Sequence, residues 1–521
     1  MTGLKNNAVA SNVSLNSTSA SGNSGMANLR MGKSKLAVSL QSYAETLLSD
    51  GMPESAISLL TAALMADPGR VSLIHKIGQC LEAVGNEKDA ASCYRGSLPD
   101  SINEHYFHSS DLANIVKSAD NCERVDYLQA FSAEKMDLEH PVRNQTDKQY
   151  AQFNYQTTEA RETFCTVASN GSVWFDGFNT LALDCEGHII REQTKGNEFS
   201  CYHAMKLAEA CHLDGTVCFL DGRSSKIYYH WILDILPKFG VMKKAGIQIS
   251  DIDYFLVTAT STFQLDTLRA FGVCEDQIIF DRSTTLYQAD KMIVPGLQND
   301  LGQRIYCAMG VGLGSWIPKY LQTNLGSIHS EQSGSHSTTN SHSTIDPDKP
   351  LKVYISRSSR GSRNIANEPA MVEALQSRGF TTVEFERFSV AEQAELMSRA
   401  EVVVGVHGAG FTNLTFCKPG TRVIEIFGDY IVPCYWALSG VAGLRYAQFM
   451  AKSVDSSTDS TGLDAVNPGQ RVAVLRDMEI DIDVDAFIEF LDATLNDALP
   501  GKTMSGDSLP GFSAGGSVVS A

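Results

Sequence analysis

The sequence predicts an α/β protein with a small all-α region on its N-terminal side, and three observations carry that prediction. Past residue 350, short β-branched runs alternate with helix-length segments, the pattern of right-handed βαβ units in a doubly wound parallel sheet. From about 150 to 320 a similar alternation passes through Val217-Cys218-Phe219-Leu220, Tyr254-Phe255-Leu256-Val257-Thr258 and Lys291-Met292-Ile293-Val294. Before residue 105 the chain repeats small and apolar residues at a constant offset of 34.

In the repeat, Ala44 lies over Gly78, Leu47 over Leu81, Gly51 over Gly85, Ala56 over Ala90, Leu60 over Tyr94 and Ala63 over Ser97, and Asp67-Pro68 closes the first unit. This is the tetratricopeptide period, with small residues where two helices cross. Residues 35–104 are therefore read as tetratricopeptide-like helices that lean on a neighbour, since two units fall short of a free-standing solenoid.

The remaining boundaries follow from composition. Residues 1–34 and 500–521 are rich in Ser and Gly and read as disordered tails, and the stretch 324–350 is a Ser/His-rich linker whose His329, His336 and His342 are solvated rather than metal-binding. These divisions leave an N-terminal α/β domain at 105–323 and a Rossmann-like domain at 351–499.

The chain has 521 residues, too many for one ordinary core, with 43% hydrophobic and 20% charged residues, so most of it should fold. A net charge of −18 argues against a nucleic-acid partner, which calls for a basic face. Twelve cysteines without a C-x-x-C pair read as buried thiols in the cytoplasm. No stretch approaches the roughly 18 apolar residues of a membrane span, so any membrane contact is expected to be peripheral, at the inner face.

Candidate chemistry gathers at strand ends. Val402 to Val406 run into His407-Gly408-Ala409-Gly410-Phe411-Thr412-Asn413, where glycines let a ligand approach and a helix N-terminus favours phosphate. The spacing fits neither G-x-G-x-x-G nor a P-loop, and the chain has no G-x-S-x-G to support a hydrolase. Arg357, Arg360 and Arg363 follow the strand Lys352–Ser356 and match phosphate oxygens bidentately. Glu425 sits where an acidic residue would hold ribose hydroxyls. His230 and Asp234, four apart, share a helical face and offer a base for an acceptor hydroxyl, a structural pair or metal ligands. The D-x-D sequences at Asp251-Asp253, Asp346-Asp348 and Asp481-Asp483-Asp485 precede a strand, lie in the linker and precede the last helix, so no metal site is assigned.

Together these segments resemble glycosyltransferase family 61, in the bacterial form often labelled a capsular polysaccharide biosynthesis protein. The resemblance rests on Tyr229-His230-Trp231 with Asp234 and Pro237, Ile355-Ser356-Arg357 with Arg363, Asn367 and Glu368, Glu392-Gln393, Gly405 to Gly410 with Asn413, Pro419-Gly420, and Glu425 with Cys434-Tyr435-Trp436. It implies two Rossmann-like domains in a GT-B arrangement and an inverting transferase working without metal. It further implies a nucleotide-sugar co-substrate, of UDP type, and a glycan or glycoconjugate acceptor. Arg357, Arg363, His407, Gly408, Ala409, Gly410 and Asn413 would then contact the donor, Glu425 its nucleoside, and His230 or Asp234 would be the base. The helical repeats would serve a protein partner. The competing reading is a non-catalytic scaffold in which those repeats bind protein and the sugar-nucleotide fold is degenerate.

Overall fold

Helices Pro53–Ala66, Ser72–Ala83 and Glu87–Tyr94 occupy the repeat region and pack through Ala56, Leu60, Leu73, Ile77, Ala90 and Cys93. Their turns recur at the sequence period: Gly51 and Gly85 take φ of 75° and 79°, and the next N–H bonds back five residues, Met52 to Leu47 O and Asn86 to Leu81 O, both at 2.9 Å. Only glycine adopts that left-handed turn without cost, so the two glycines end their helices in the same way. Gly78 permits the close crossing, because a Cβ there would stand 2.8 Å from Cβ of Cys93.

The computed structural model describes residues 37–496 except 67–69, 103–114, 146–152, 154–156, 176–179, 195–209, 282–284, 297–312, 327–349, 359–361, 455–474 and a few single positions. The expected tails and almost all of the linker, with its three histidines and Asp346-Asp348, lie outside the described residues, as does Arg360.

The middle of the chain builds a ten-stranded mixed sheet. Strands Leu286–Gly296, Ala210–Phe219, Tyr254–Val257 and Ile278–Phe280 are adjacent and parallel, joined by helices such as Pro237–Lys244 and Thr262–Ala270. The rest departs from a purely parallel expectation. Thr163–Ser169 and Ser172–Phe175 both run antiparallel to Leu286–Gly296, with the chain kinked between them at Asn170, whose φ is 51°. Asn tolerates that conformation through its short polar side chain.

The second sheet is all parallel, in the order Phe380–Val383, Leu351–Ile355, Ala400–Val406, Arg422–Phe427, Arg445–Met450 and Val142–Arg143. Its strands alternate faces as period two requires. Tyr354, Val404, Ile424 and Ile426 pack with Met371, Leu375, Phe487 and Phe490 of helices Glu368–Gln376 and Val484–Leu495. Val353, Val403 and Val423 face a cluster that includes Leu396, Met397 and Leu438 and continues without a break into Leu233, Leu236 and Phe239. One apolar core therefore spans both sheets. Helix Trp316–Leu325 helps to join them: Gln322 Nε2 donates to the carbonyls of Thr415 (2.8 Å) and Cys417 (3.2 Å).

Within the C-terminal segment the strand order is 2-1-3-4-5, so the chain reverses direction across the sheet between Leu351–Ile355 and Ala400–Val406. The carboxyl ends at that switch point form the natural ligand crevice of an open α/β sheet. The residues that emerge there are Ser356-Arg357 and His407-Gly408.

Candidate active site

His407 is the first residue beyond its strand and is 6% exposed. Its Nδ1 lies 2.6 Å from Oε1 of the fully buried Glu425, and Tyr446 donates its hydroxyl to the other carboxylate oxygen. The imidazole stacks on Phe427 at 5.4 Å between centroids and meets Tyr435 at 5.3 Å. Burial holds the imidazole below its usual pKa; the charges of Arg363 and Arg357 act in the same direction while Glu425 opposes them. His407 is thus a neutral ring that donates from Nδ1 and turns Nε2 elsewhere as an acceptor.

Both carboxylate oxygens of Glu425, the residue read as a nucleoside contact, are engaged inside the sheet, with His407 and Tyr446, and the residue has no exposed surface.

Arg357 lies across the backbone at Gly408. A Cβ on Gly408 would overlap Nη1 of Arg357 and sit 3.0 Å from its Cζ. The glycine backbone there is extended, with φ of 174°, which any residue adopts. Glycine is needed because a guanidinium packs where a side chain would go, and Arg357 Nη2 is further steadied by the Ser362 carbonyl at 3.1 Å. Arg363 takes φ of 55° and stands 5.5 Å over the ring of Tyr430. Burial lowers its pKa, and its Nε is enclosed without a hydrogen-bond acceptor among the described residues. A half-buried cation in a left-handed backbone conformation is costly.

The segment after Gly408 winds as a 3-10 helix, Ala409–Phe416, rather than the α-helix expected from the sequence. Phe411 N–H closes onto the Gly408 carbonyl at 3.0 Å, and Phe411 to Phe416 are buried. Apolar residues pull this short helix into the core, so little of a long helix's dipole reaches the crevice. Gly410 packs closely, since a Cβ there would lie 3.1 Å from Ile355 Cγ2.

Asn413 is held inside the fold. It has no exposed surface, its Nδ2 donates to Gln393 Oε1 at 2.7 Å, and its Oδ1 lies 2.8 Å from the Tyr228 hydroxyl. Gln393 in turn donates to the carbonyls of Phe385 and Phe388. Asn413 therefore ties together three segments distant in sequence, and its amide is committed to the protein rather than to a ligand.

The same bond delivers the fourth component. Tyr228 begins the helical stretch that carries His230 and Asp234, whose Nδ1 and Oδ2 stand 2.6 Å apart. The turn Trp231–Ile235 is a π-helix, in which Leu236 N–H reaches the Trp231 carbonyl five residues back at 3.0 Å. Pro237 follows and has no N–H to continue the α-ladder, which accounts for the widened turn. Tyr229 connects this pair to the His407 cluster, its ring 5.2 Å from His230 and 5.7 Å from Tyr435.

The tyrosines at 228, 430, 435 and 446 were the components that sequence reasoning passed over. Tyr435 stood inside a quoted motif; Tyr446 carried no signal, because only strand pairing brings it to Glu425. Among the described residues no group of three or more His, Cys, Asp or Glu converges as metal ligands. Two of the acidic motifs have local partners: Asp253 Oδ2 accepts from Thr216 N–H, and Asp483 caps the helix Val484–Leu495 through Ala486 N–H.

A parallel sheet with two arginines at its switch point, linked through Tyr229 to a His–Asp pair on a helical turn after a strand of the mixed sheet, defines an α/β protein of two sheets. Residues 228–424, a stretch that holds Arg357, Arg363, His407 and the His230–Asp234 pair, match the model of the Glycosyltransferase 61 family. The chain is 26% identical over 104 residues to the EGF domain-specific O-linked N-acetylglucosamine transferase of Drosophila melanogaster, covering 19% of this chain and 20% of the relative. The protein of that name from Gallus gallus is 27% identical over 104 residues, 19% of each chain. The Xylan glycosyltransferase MUCI21 of Arabidopsis thaliana is 39% identical over 81 residues, 15% of this chain and 16% of the relative. The matched stretches thus span about a fifth or less of the length of these curated relatives. Among the described residues, no helix is long and apolar enough to cross a membrane.

Proposed function

We propose that this protein is an inverting glycosyltransferase that moves a sugar from a nucleotide-diphosphate donor, of UDP type, to a hydroxyl of a glycan or glycoconjugate. The observation that carries the reading is the pair of cations at the switch point: Arg357 packed on the Gly408 backbone and Arg363 enclosed beside Tyr430. They supply charge for a diphosphate without metal. His407 and the Gly408-Ala409-Gly410 backbone form the floor of the crevice, and Glu425 and Asn413 hold that floor in place.

Acceptor chemistry falls to His230. With the Asp234 carboxylate at Nδ1, the ring carries its proton there and leaves Nε2 free to accept one. The acceptor oxygen attacks the anomeric carbon from the face opposite the leaving group while its proton passes to Nε2. The bond from the anomeric carbon to the diphosphate oxygen breaks, its electron pair stays on that oxygen, and Arg357 and Arg363 neutralise the charge that develops.

The resemblance read from the sequence favours a polysaccharide acceptor of capsular type, and the cysteines read as free thiols favour a cytoplasmic site of action. The N-terminal helices, with their matched glycine turns 34 residues apart, are read as a tetratricopeptide-like pair that docks a protein partner. A thermal-shift panel of nucleoside diphosphates and their sugars, with and without divalent metal, tests the donor. One nucleotide present at 100 times its Kd stabilises the fold by about 2.7 kcal/mol, whereas a folded protein that responds to none is the scaffold instead.

A further inference from the structure

The amino ends of the parallel strands carry a second feature, on the opposite edge of the sheet from the Arg357–His407 crevice. A cavity of about 650 Å³ opens there, lined by Lys352, Arg399, Lys418 and Arg422 with one carboxylate, Glu401. The whole chain carries −18, so four cations around one concavity reverse the local sign of the field. Arg399 has a local explanation, as it ends the helix Val390–Ser398 where a cation complements the dipole. Lys352 is partly accounted for by the Arg378 carbonyl at 3.2 Å. Lys418 and Arg422 stand on either side of the turn through Gly420, at φ 88°. In strand register Arg422 lies beside Arg445, which adds a further positive charge to this edge.

We propose that this cavity binds a ligand bearing several oxyanions, namely a segment of an acidic glycan with carboxylate or sulfate groups. Its volume falls in the range of small-ligand sites, roughly 300–1,000 Å³, and its concave shape suits a chain segment better than a flat membrane surface. Guanidinium and ammonium groups on one wall match oxyanions both bidentately and as point charges. The donor crevice lies at the other ends of the same strands, so this inference stands whether or not the transferase reading does.

Isothermal titration of the full chain with a sulfated tetrasaccharide at low salt tests it, alongside inorganic pyrophosphate and phosphatidylserine vesicles. The tetrasaccharide should bind, and its affinity should fall as salt rises. Lys418→Glu, at an exposed position, should weaken binding about tenfold or more, while Arg363→Ala leaves it unchanged. Arg422→Gln provides a second variant without charge reversal, with the melting temperature of each compared to the parent. Pyrophosphate binding with the same sensitivity to Lys418→Glu would support the pocket and assign it a free polyphosphate. Failure of both soluble anions to bind, binding indifferent to Lys418→Glu, or binding to vesicles alone would overturn the proposal.

Discussion

Nδ1 of His407 lies 2.6 Å from Oε1 of Glu425, a contact made across neighbouring parallel strands and closed from behind by the Tyr446 hydroxyl. Both oxygens of that carboxylate are engaged, so its removal leaves the buried His407 N–H and the part-buried Tyr446 O–H without this acceptor. Glu425→Ala should therefore destabilise the protein by about 2–4 kcal/mol. Chemical denaturation measures this, and Glu425→Gln should recover part of the loss.

His407 also sets a pH dependence. Its folded pKa lies below the ordinary 6.5, so between the two values the unfolded chain binds more protons and stability declines as pH drops. Melting temperatures from pH 7.5 to 5 should fall more steeply for the parent than for His407→Gln.

The opposite sign holds at Asp281, whose carboxyl is pushed up to about 7 by burial and by the neighbouring Asp221. The folded state retains a proton there that the unfolded state has released, so this group favours the fold at low pH and loses that contribution as pH rises toward 7. Asp281→Asn should raise the melting temperature above pH 7 and make little difference near pH 4.

At Gly408 the argument is steric. Gly408→Ala places a methyl where Nη1 of Arg357 now sits, so the guanidinium must shift from its present position. Donor affinity should fall about tenfold, as it should in Arg357→Ala. The double variant should lose little more than either single one, because both remove the same group. Additive losses in a binding titration would show that the two positions act separately.

For His230 the test separates binding from chemistry. His230→Ala should lower turnover by roughly 10² to 10⁴-fold and leave the nucleotide-induced thermal shift intact. Asp234→Asn should act in the same direction with a smaller loss, since the ring keeps Nε2 but loses the partner that fixes its tautomer. Unchanged turnover in both variants would remove this helix from the mechanism.

The sequence by itself determined the parallel sheet past residue 350, the arginine loop and glycine turn at its strand ends, and the shared face of His230 and Asp234. Those features rest on spacing: period-two and helical patterns, and motifs contained within a few residues, are set by local backbone geometry. Gly51 and Gly85, paired by the offset of 34 in the sequence, both take positive φ. What only the tertiary structure decided was the direction in which each polar side chain points. Glu425 and Asn413 stand in motifs that suggest ligands, yet burial turns both inward, toward His407 and toward Tyr228 and Gln393. Gly408 leaves room for Arg357, 51 positions earlier in the sequence. The antiparallel additions to the first sheet and the pairing of Tyr446 with Glu425 depend on strands meeting far apart in sequence. Desolvation and hydrogen-bond satisfaction are properties of the assembled neighbourhood, and no window of sequence contains them.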